Sequence, residues 1–159
     1  MSHVAFGDVA RAFAAAPRRA TFFTDTEFAT LRALVDVILP ATDSPAASAA
    51  DTHYFIDTAL PACASVKAQA TFREGLGSLV AASFTKLPAE GQVALLKARA
   101  AKDMDLEYDA SFFKILKDYT LSGYFLSEIG ATQALAYERV PGGFTGDLPL
   151  APNQKAWTL

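Results

Sequence analysis

The chain has 159 residues, of which 52% are hydrophobic and 19% are charged, and its formal net charge is −3. A chain of this size and composition buries enough apolar surface to fold, which excludes disorder over most of its length. Its 14 Lys and Arg residues are scattered along the sequence, which disfavours nucleic acid as a partner. No stretch approaches the roughly 20 uncharged apolar residues of a membrane span. We therefore expect one domain without a transmembrane anchor.

Residues 1–23 are predicted to form an N-terminal arm. Phe6, Val9 and Phe13 follow one another at spacings of three and four, which indicates a short amphipathic helix. That helix is expected to end before Pro17, because proline lacks the backbone N–H that a helix interior requires.

Arg18 and Arg19 look superficially like the start of a twin-arginine export signal. Such a signal continues with an uncharged apolar stretch. Here the chain continues instead through charged residues, beginning with Asp25 and Glu27. We therefore expect no export signal of that kind at these arginines.

A first long helix is predicted to begin after Thr24. Thr24 and Glu27 have the spacing of a capping box, in which each side chain binds a free backbone N–H of the first turn. The helix should end near Leu39, because Pro40 disfavours helical geometry in the residue before it. Its predicted apolar face consists of Phe28, Leu31, Leu34, Val35 and Ile38.

Three further helices are predicted downstream. The second covers about 52–60 and is bounded by Pro61, and the third covers about 66–84, with apolar residues at helical spacing. Pro88 is expected to be the first residue of the fourth helix, where its missing N–H has no intrahelical partner to lose.

A fifth helix, the most aromatic, is predicted over about 110–126 with Asp109 as its N-cap. Alternating acidic residues precede it at positions 103, 105, 107 and 109. Calcium prefers several carboxylate ligands, but Tyr108 stands where a calcium loop needs glycine and Lys114 where it needs glutamate. A solvated acidic linker is the preferred interpretation.

The C-terminal region is rich in helix-breaking residues. Six glycines and prolines lie between 141 and 152, too many for a long helix. Tyr137, Phe144 and Trp157 nevertheless suggest that this arm packs along its own domain or across a partner. The sequence thus predicts an all-α fold, a compact bundle of about five helices, with a helical domain over 24–146 and an extended tail over 147–159.

Residues that could carry catalysis or hold a cofactor are few. Gly75 and Gly77 lie within a predicted helix with no strand before it, so close helix packing is preferred over a dinucleotide-binding turn. Cys63 is the only cysteine, and we interpret it as a small apolar residue. His3 and His53 are the only histidines, and His53 is interpreted as a helix-start or surface residue. We expect no cofactor, catalytic or metal site in this chain.

Four stretches of the sequence carry a resemblance to a known family. They are 38–45 (ILPATDSP), 54–57 (YFID), 119–125 (YTLSGYF), and Tyr137 with 141–146 (PGGFTG). In their order and spacing they resemble the gluconate 2-dehydrogenase subunit 3 family, the small subunits of bacterial flavin-dependent sugar and sugar-acid dehydrogenases. One departure is that Ala46 and Ala47 follow the Ser-Pro turn, where the family often has glycine.

The resemblance implies an accessory function. Members of this family associate with a large subunit of the glucose-methanol-choline oxidoreductase type, which holds FAD and the catalytic residues, and a cytochrome c subunit commonly completes the complex. The resemblance leaves the substrate open among gluconate, other sugar acids and glycosides oxidised at the 3-position. It also leaves two locations open, the periplasm with an exported partner or the cytoplasm.

The leading hypothesis is a non-catalytic subunit that binds a flavoprotein through aromatic side chains, because interface hot spots are enriched in rigid rings. Core packing remains an equal explanation for each ring. The alternatives are a stand-alone helical module that binds a small molecule, and an enzyme that uses His53 with nearby acids. The predicted interface residues are Phe6, Phe13, Tyr124, Tyr137, Phe144 and Trp157.

Overall fold

The structure, a computed structural model, describes residues 19–136, 149 and 152–156. Within them the chain forms five α-helices and no β-strand, which confirms the all-α prediction. We label the helices α1 (Asp25–Ile38), α2 (Thr52–Cys63), α3 (Val66–Ala81), α4 (Ala89–Asp103) and α5 (Phe112–Phe125). Short 3-10 turns occupy Ala47–Ala50, Phe84–Lys86 and Tyr108–Ala110, and a π-turn occupies Gly130–Ala134. The predicted helix near the N-terminus lies outside the described residues.

The start of α1 is the predicted capping box. Thr24 Oγ1 accepts a hydrogen bond from the Glu27 N–H at 3.4 Å, and Glu27 Oε2 accepts from the Thr24 N–H at 2.9 Å. This exchange satisfies two N–H groups that have no partner inside a helix. The apolar face of α1 then packs inward, with Leu31, Leu34 and Val35 fully buried.

Two predicted helix boundaries involving proline are wrong. Helix α2 does not end before Pro61 but runs through it to Cys63. This last turn is supported from outside, because Gln69 Nε2 donates to the carbonyl oxygens of Pro61 and Ala64 at 3.3 and 3.0 Å. Pro88 is the N-cap of α4 rather than its first residue, because its ψ of 157° is extended.

The predicted cap of α5 is also wrong. Ser111, not Asp109, is the N-cap, and its hydroxyl oxygen accepts from the Lys114 N–H at 3.1 Å. Asp109 lies in the preceding 3-10 turn, and its carboxylate accepts from the Ser65 hydroxyl at 2.8 Å. Asp109 therefore connects two helix starts instead of capping one.

Helix α5 is central to the bundle, since it contacts each of the other four helices. Its Phe112 ring lies directly against Gly75 of α3, and its centroid is 5.2 Å from that of the Phe72 ring on the same helix, with the two ring planes tilted by 51°. A Cβ atom at Gly75 would lie only 2.3 Å from Phe112 Cγ, whereas one at Gly77 would meet nothing within 4 Å. The predicted close helix packing is thus confirmed at Gly75 and wrong at Gly77.

The described part of the C-terminal tail returns to the helical domain. The backbone N–H of Ala136 donates to the carbonyl oxygen of Ala156 at 2.8 Å. Lys155 Nζ donates to the carbonyl oxygen of Gln133 at the end of the π-turn. Of the two places predicted for the tail, these contacts favour its own domain.

We predict opposite outcomes for two neighbouring glycines. Gly75→Ala should lower the free energy of unfolding by about 1 to 3 kcal/mol, because the added methyl group overlaps the buried Phe112 ring. Gly77→Ala should be neutral or raise it by up to about 1 kcal/mol, because alanine favours the helix and the space is open. Urea denaturation of both variants measures the difference, and equal effects would contradict this account of the core.

Candidate partner interface

One large cleft lies between the start of α2 and the end of α5. Its volume is about 740 Å³. It is lined by Arg19, Thr21, Ala50, Asp51, Tyr54, Phe55, Asp57, Thr58, Gly123, Leu126 and Ser127. Helices α2 and α5 pack closely beneath the cleft, because a Cβ at Gly123 of α5 would lie 2.6 Å from the Phe55 ring of α2.

The acid at the base of this cleft already has partners within the chain. Asp57 is 2% exposed and accepts four hydrogen bonds, from the N–H groups of Thr21, Phe22 and Phe23 and from the Thr21 hydroxyl. Burial alone would raise the pKa of this carboxyl, but the donated hydrogen bonds outweigh it and hold the pKa below its usual value. Arg73 adds a bond to the Phe22 carbonyl oxygen at 2.6 Å. Asp57 therefore holds the segment before α1 onto α2.

His53 is a helix-start residue, as predicted, but not a surface one. Its side chain is 4% exposed, and its ring lies 5.1 Å from that of Phe28 and 4.6 Å from that of Tyr54. Burial, assisted by the guanidinium of Arg32, lowers the pKa of His53 below its usual 6.5. Its Nδ1 atom has no hydrogen-bond partner among the described residues. The ring is thus enclosed by aromatic neighbours rather than exposed to a substrate.

A second surface, which we call the lysine groove, lies where α1, α4 and α5 meet. Two adjoining cavities of about 240 and 400 Å³ form it. Its apolar lining is Val37, Ile38, Val93, Leu96, Ala100, Ala101, Met104 and Phe113. Its basic lining is Lys97 from α4 with Lys114 and Lys117 from α5. The groove combines an apolar floor with a positively charged rim.

Among the residues that the structure describes, Asp103 is the one acidic residue that lines the groove. It is 3% exposed, and its carboxylate accepts from Arg99 Nε at 3.1 Å, the Ser111 hydroxyl at 3.3 Å and the Phe113 N–H at 2.9 Å. The prediction that this residue belongs to a solvated linker is therefore wrong. Because its charge is satisfied internally, it does not offset the lysines on the rim.

The predicted interface residues fall in two groups. Tyr124 is 2% exposed, and its hydroxyl donates to the Pro45 carbonyl oxygen at 2.8 Å. Core packing, the equal explanation given for this ring, therefore accounts for Tyr124 within this chain, and its contact with a partner stays a prediction. The exposed apolar neighbours are Phe125 and Leu126. The others, Phe6, Phe13, Tyr137, Phe144 and Trp157, lie outside the described residues.

Sequence reasoning missed the lysine groove. The fifth predicted helix contains Phe113, but its aromatic pattern does not show that this ring lies on the outer face, and no motif singles out Lys97. The available signal is the spacing of Lys114 and Lys117, which lie three residues apart beside Phe113 and therefore on one side of a helix. The approach of Lys97 to this pair depends on how α4 packs on α5, which no local pattern reveals.

The fold defines the class of protein as an all-α domain with an apolar, basic-rimmed groove on its surface. In the described part of the chain, no group of three or more His, Cys, Asp and Glu residues is arranged to hold a metal ion. None of the helices described is long and apolar enough to cross a membrane.

Comparison with protein families then gives a specific assignment. The chain matches the family described as gluconate 2-dehydrogenase subunit 3 over residues 25–142, which is more than half of its length. It therefore belongs to that family, and the resemblance found in the sequence is confirmed. Comparisons with curated proteins and with solved structures gave no match.

The buried His53 generates a prediction about pH. Because its pKa is lower in the folded chain than its usual 6.5, the unfolded chain binds the proton more readily. Protonation of His53 therefore leaves the free energy of unfolding unchanged above about pH 6.5 and lowers it as the pH falls below that value. His53→Phe retains a ring in the same place but cannot be protonated.

We therefore expect the free energy of unfolding to fall more steeply for the wild-type chain than for His53→Phe between pH 7 and pH 5.5. Urea denaturation across this range measures both slopes. Both proteins retain His3, so the difference between the slopes isolates His53. Identical slopes would show that protonation of this ring does not oppose folding.

Proposed function

We propose that this chain is a non-catalytic small subunit that binds and stabilises the FAD-containing catalytic subunit of a bacterial sugar or sugar-acid dehydrogenase. The observation that carries the proposal is the family match over residues 25–142, whose description is that of a dehydrogenase subunit. The catalytic partner is a large subunit of the glucose-methanol-choline type, which holds FAD and the reacting groups. A cytochrome c subunit completes the complex.

The surroundings of His53 support a catalytic site on the partner rather than on this chain. A general acid or base must come within hydrogen-bond reach of its substrate. The His53 ring is 4% exposed and lies between aromatic side chains, so a bound substrate cannot approach it. In this proposal FAD, the substrate site and the proton transfers belong to the partner, and the complex works either in the periplasm after export with that partner or in the cytoplasm.

The lysine groove supports the accessory part of the proposal. Its apolar lining includes Val93, 37% exposed, and Met104, 67% exposed. Exposed apolar surface rimmed by polar residues is typical of protein interaction sites. A subunit that covered this surface would remove apolar area from water, which favours association.

Co-expression tests the proposal. The chain, tagged, should copurify in a fixed ratio with the flavoprotein dehydrogenase subunit of the same organism, and the complex should carry the flavin absorbance. Because a ligand stabilises the protein that it binds, adding this chain at 100 times its Kd should raise the unfolding free energy of the flavoprotein by about 2.7 kcal/mol. Expression of the flavoprotein alone is the control. Failure of the two chains to associate would contradict the proposal.

A second candidate, a stand-alone small-molecule binding module, is favoured by the cleft at the start of α2. Its volume of about 740 Å³ falls within the range of ligand pockets. The best-placed acid in it, Asp57, is occupied by hydrogen bonds from Thr21, Phe22 and Phe23, which weakens this candidate. A monomer that binds a sugar acid and ignores the flavoprotein would support it.

A further inference from the structure

We propose that the lysine groove is the docking site for an acidic amphipathic helix of the catalytic partner subunit. This inference rests on the proposed function and adds the surface and the chemistry of the contact. The groove is defined, as above, by the apolar residues of α1, α4 and α5 and by the lysines at 97, 114 and 117.

The shape of the groove fits a helix. Val93, Leu96, Ala100 and Met104 follow one another along α4 at spacings of three and four and form one apolar stripe. At a rise of 1.5 Å per residue, this stripe is about 16 Å long, or roughly three helical turns. Amphipathic helices bind such grooves through apolar anchors at the same helical spacing.

The charge of the groove determines the sign of the occupant. Lys97 and Lys117 have no hydrogen bond or ion pair with any described residue, whereas Lys114 Nζ donates to the Leu106 carbonyl oxygen at 2.6 Å. The whole chain carries a net charge of −3, so a rim of lysines is a local reversal of sign. Acidic side chains flanking an apolar stripe would meet this rim, and such complementarity gives an interface its orientation and specificity.

Charge argues against a second copy of this chain as the occupant, and shape argues against a membrane surface. Two copies that docked groove to groove would bring their lysine rims together, and like charges placed opposite one another disfavour association. An anionic membrane surface would attract the lysines, but the apolar side chains line a concave groove between helices rather than a protruding face. A helix can enter such a groove, whereas a lipid bilayer is too broad to follow it.

Binding of the purified full-length chain to the flavoprotein subunit tests the electrostatic part. The double variant Lys97→Glu with Lys117→Glu should raise the Kd at low salt at least about tenfold, because each exchange replaces an attraction to the acidic helix by a repulsion. Salt should weaken binding of the wild-type chain and have less effect on the double variant. The matched control, Lys67→Glu with Lys86→Glu, makes the same change in charge outside the groove. Its Kd should stay within about threefold of the wild-type value.

Met104→Asp tests the apolar part. Met104 is 67% exposed, so the substitution should leave the fold intact while placing a carboxylate in the apolar lining of the groove. It should also raise the Kd for the flavoprotein subunit at least about tenfold. Val66→Asp, at a valine that is 84% exposed on α3, is the control and should bind as the wild-type chain does.

The outcomes separate the two proposals. Equal binding by the groove variants, the controls and the wild-type chain would overturn the docking site and leave the subunit function standing. Failure of the wild-type chain to bind the flavoprotein would overturn the function and the docking site together. Vesicles of phosphatidylserine and phosphatidylcholine form a separate arm. Vesicle binding that the groove variants abolish, with flavoprotein binding unchanged, would assign the groove to a membrane and overturn the inference.

Discussion

The packing of α5 on α3 depends on one close approach, that of the Phe112 ring to the backbone of α3 at Gly75. Any side chain at Gly75 would overlap the ring, since even a Cβ would lie 2.3 Å from it. The ring and its neighbour Phe72 are both fully buried. Because successive residues of a helix turn by about 100°, an inward Phe112 places Phe113 on an adjacent face, toward α4. The inner contact of α5 therefore determines which of its residues line the lysine groove.

Two buried carboxylates, Asp57 and Asp103, bind the segments that lead into α1 and α5 and fix them to neighbouring helices. Asp57 receives the N–H groups of 21–23 before α1, and Asp103 receives the N–H of Phe113 in the first turn of α5. Buried charges are tolerated when their hydrogen bonds are satisfied. In both cases the acid lies on one helix and its backbone donors lie at or before the start of another. Asp103 also leaves the groove with a rim whose unsatisfied charge is positive.

The sequence predicted what depends on local chemistry and missed what depends on tertiary contacts. The capping box at Thr24, the apolar face of α1 and the all-α class follow from spacing along the chain, and each is confirmed. The predicted end of α2 was wrong because Gln69, from the next helix, donates hydrogen bonds to carbonyl oxygens of the last turn, which contains Pro61. The predicted exposure of Asp103 was wrong because its hydrogen-bond partners include Ser111 and Phe113, at the start of a different helix. The lysine groove could not be predicted for the same reason, since it forms only where α1, α4 and α5 meet.

Hydrogen–deuterium exchange of this chain, with and without saturating flavoprotein subunit, tests the central claim of docking through the lysine groove most directly. The account predicts slower amide exchange in the complex along α4, from Val93 to Met104, and in the first two turns of α5. It predicts little change in α3, where Lys67 and Val66 lie outside the groove. Unchanged exchange throughout α4 and α5 in a saturated complex would contradict it.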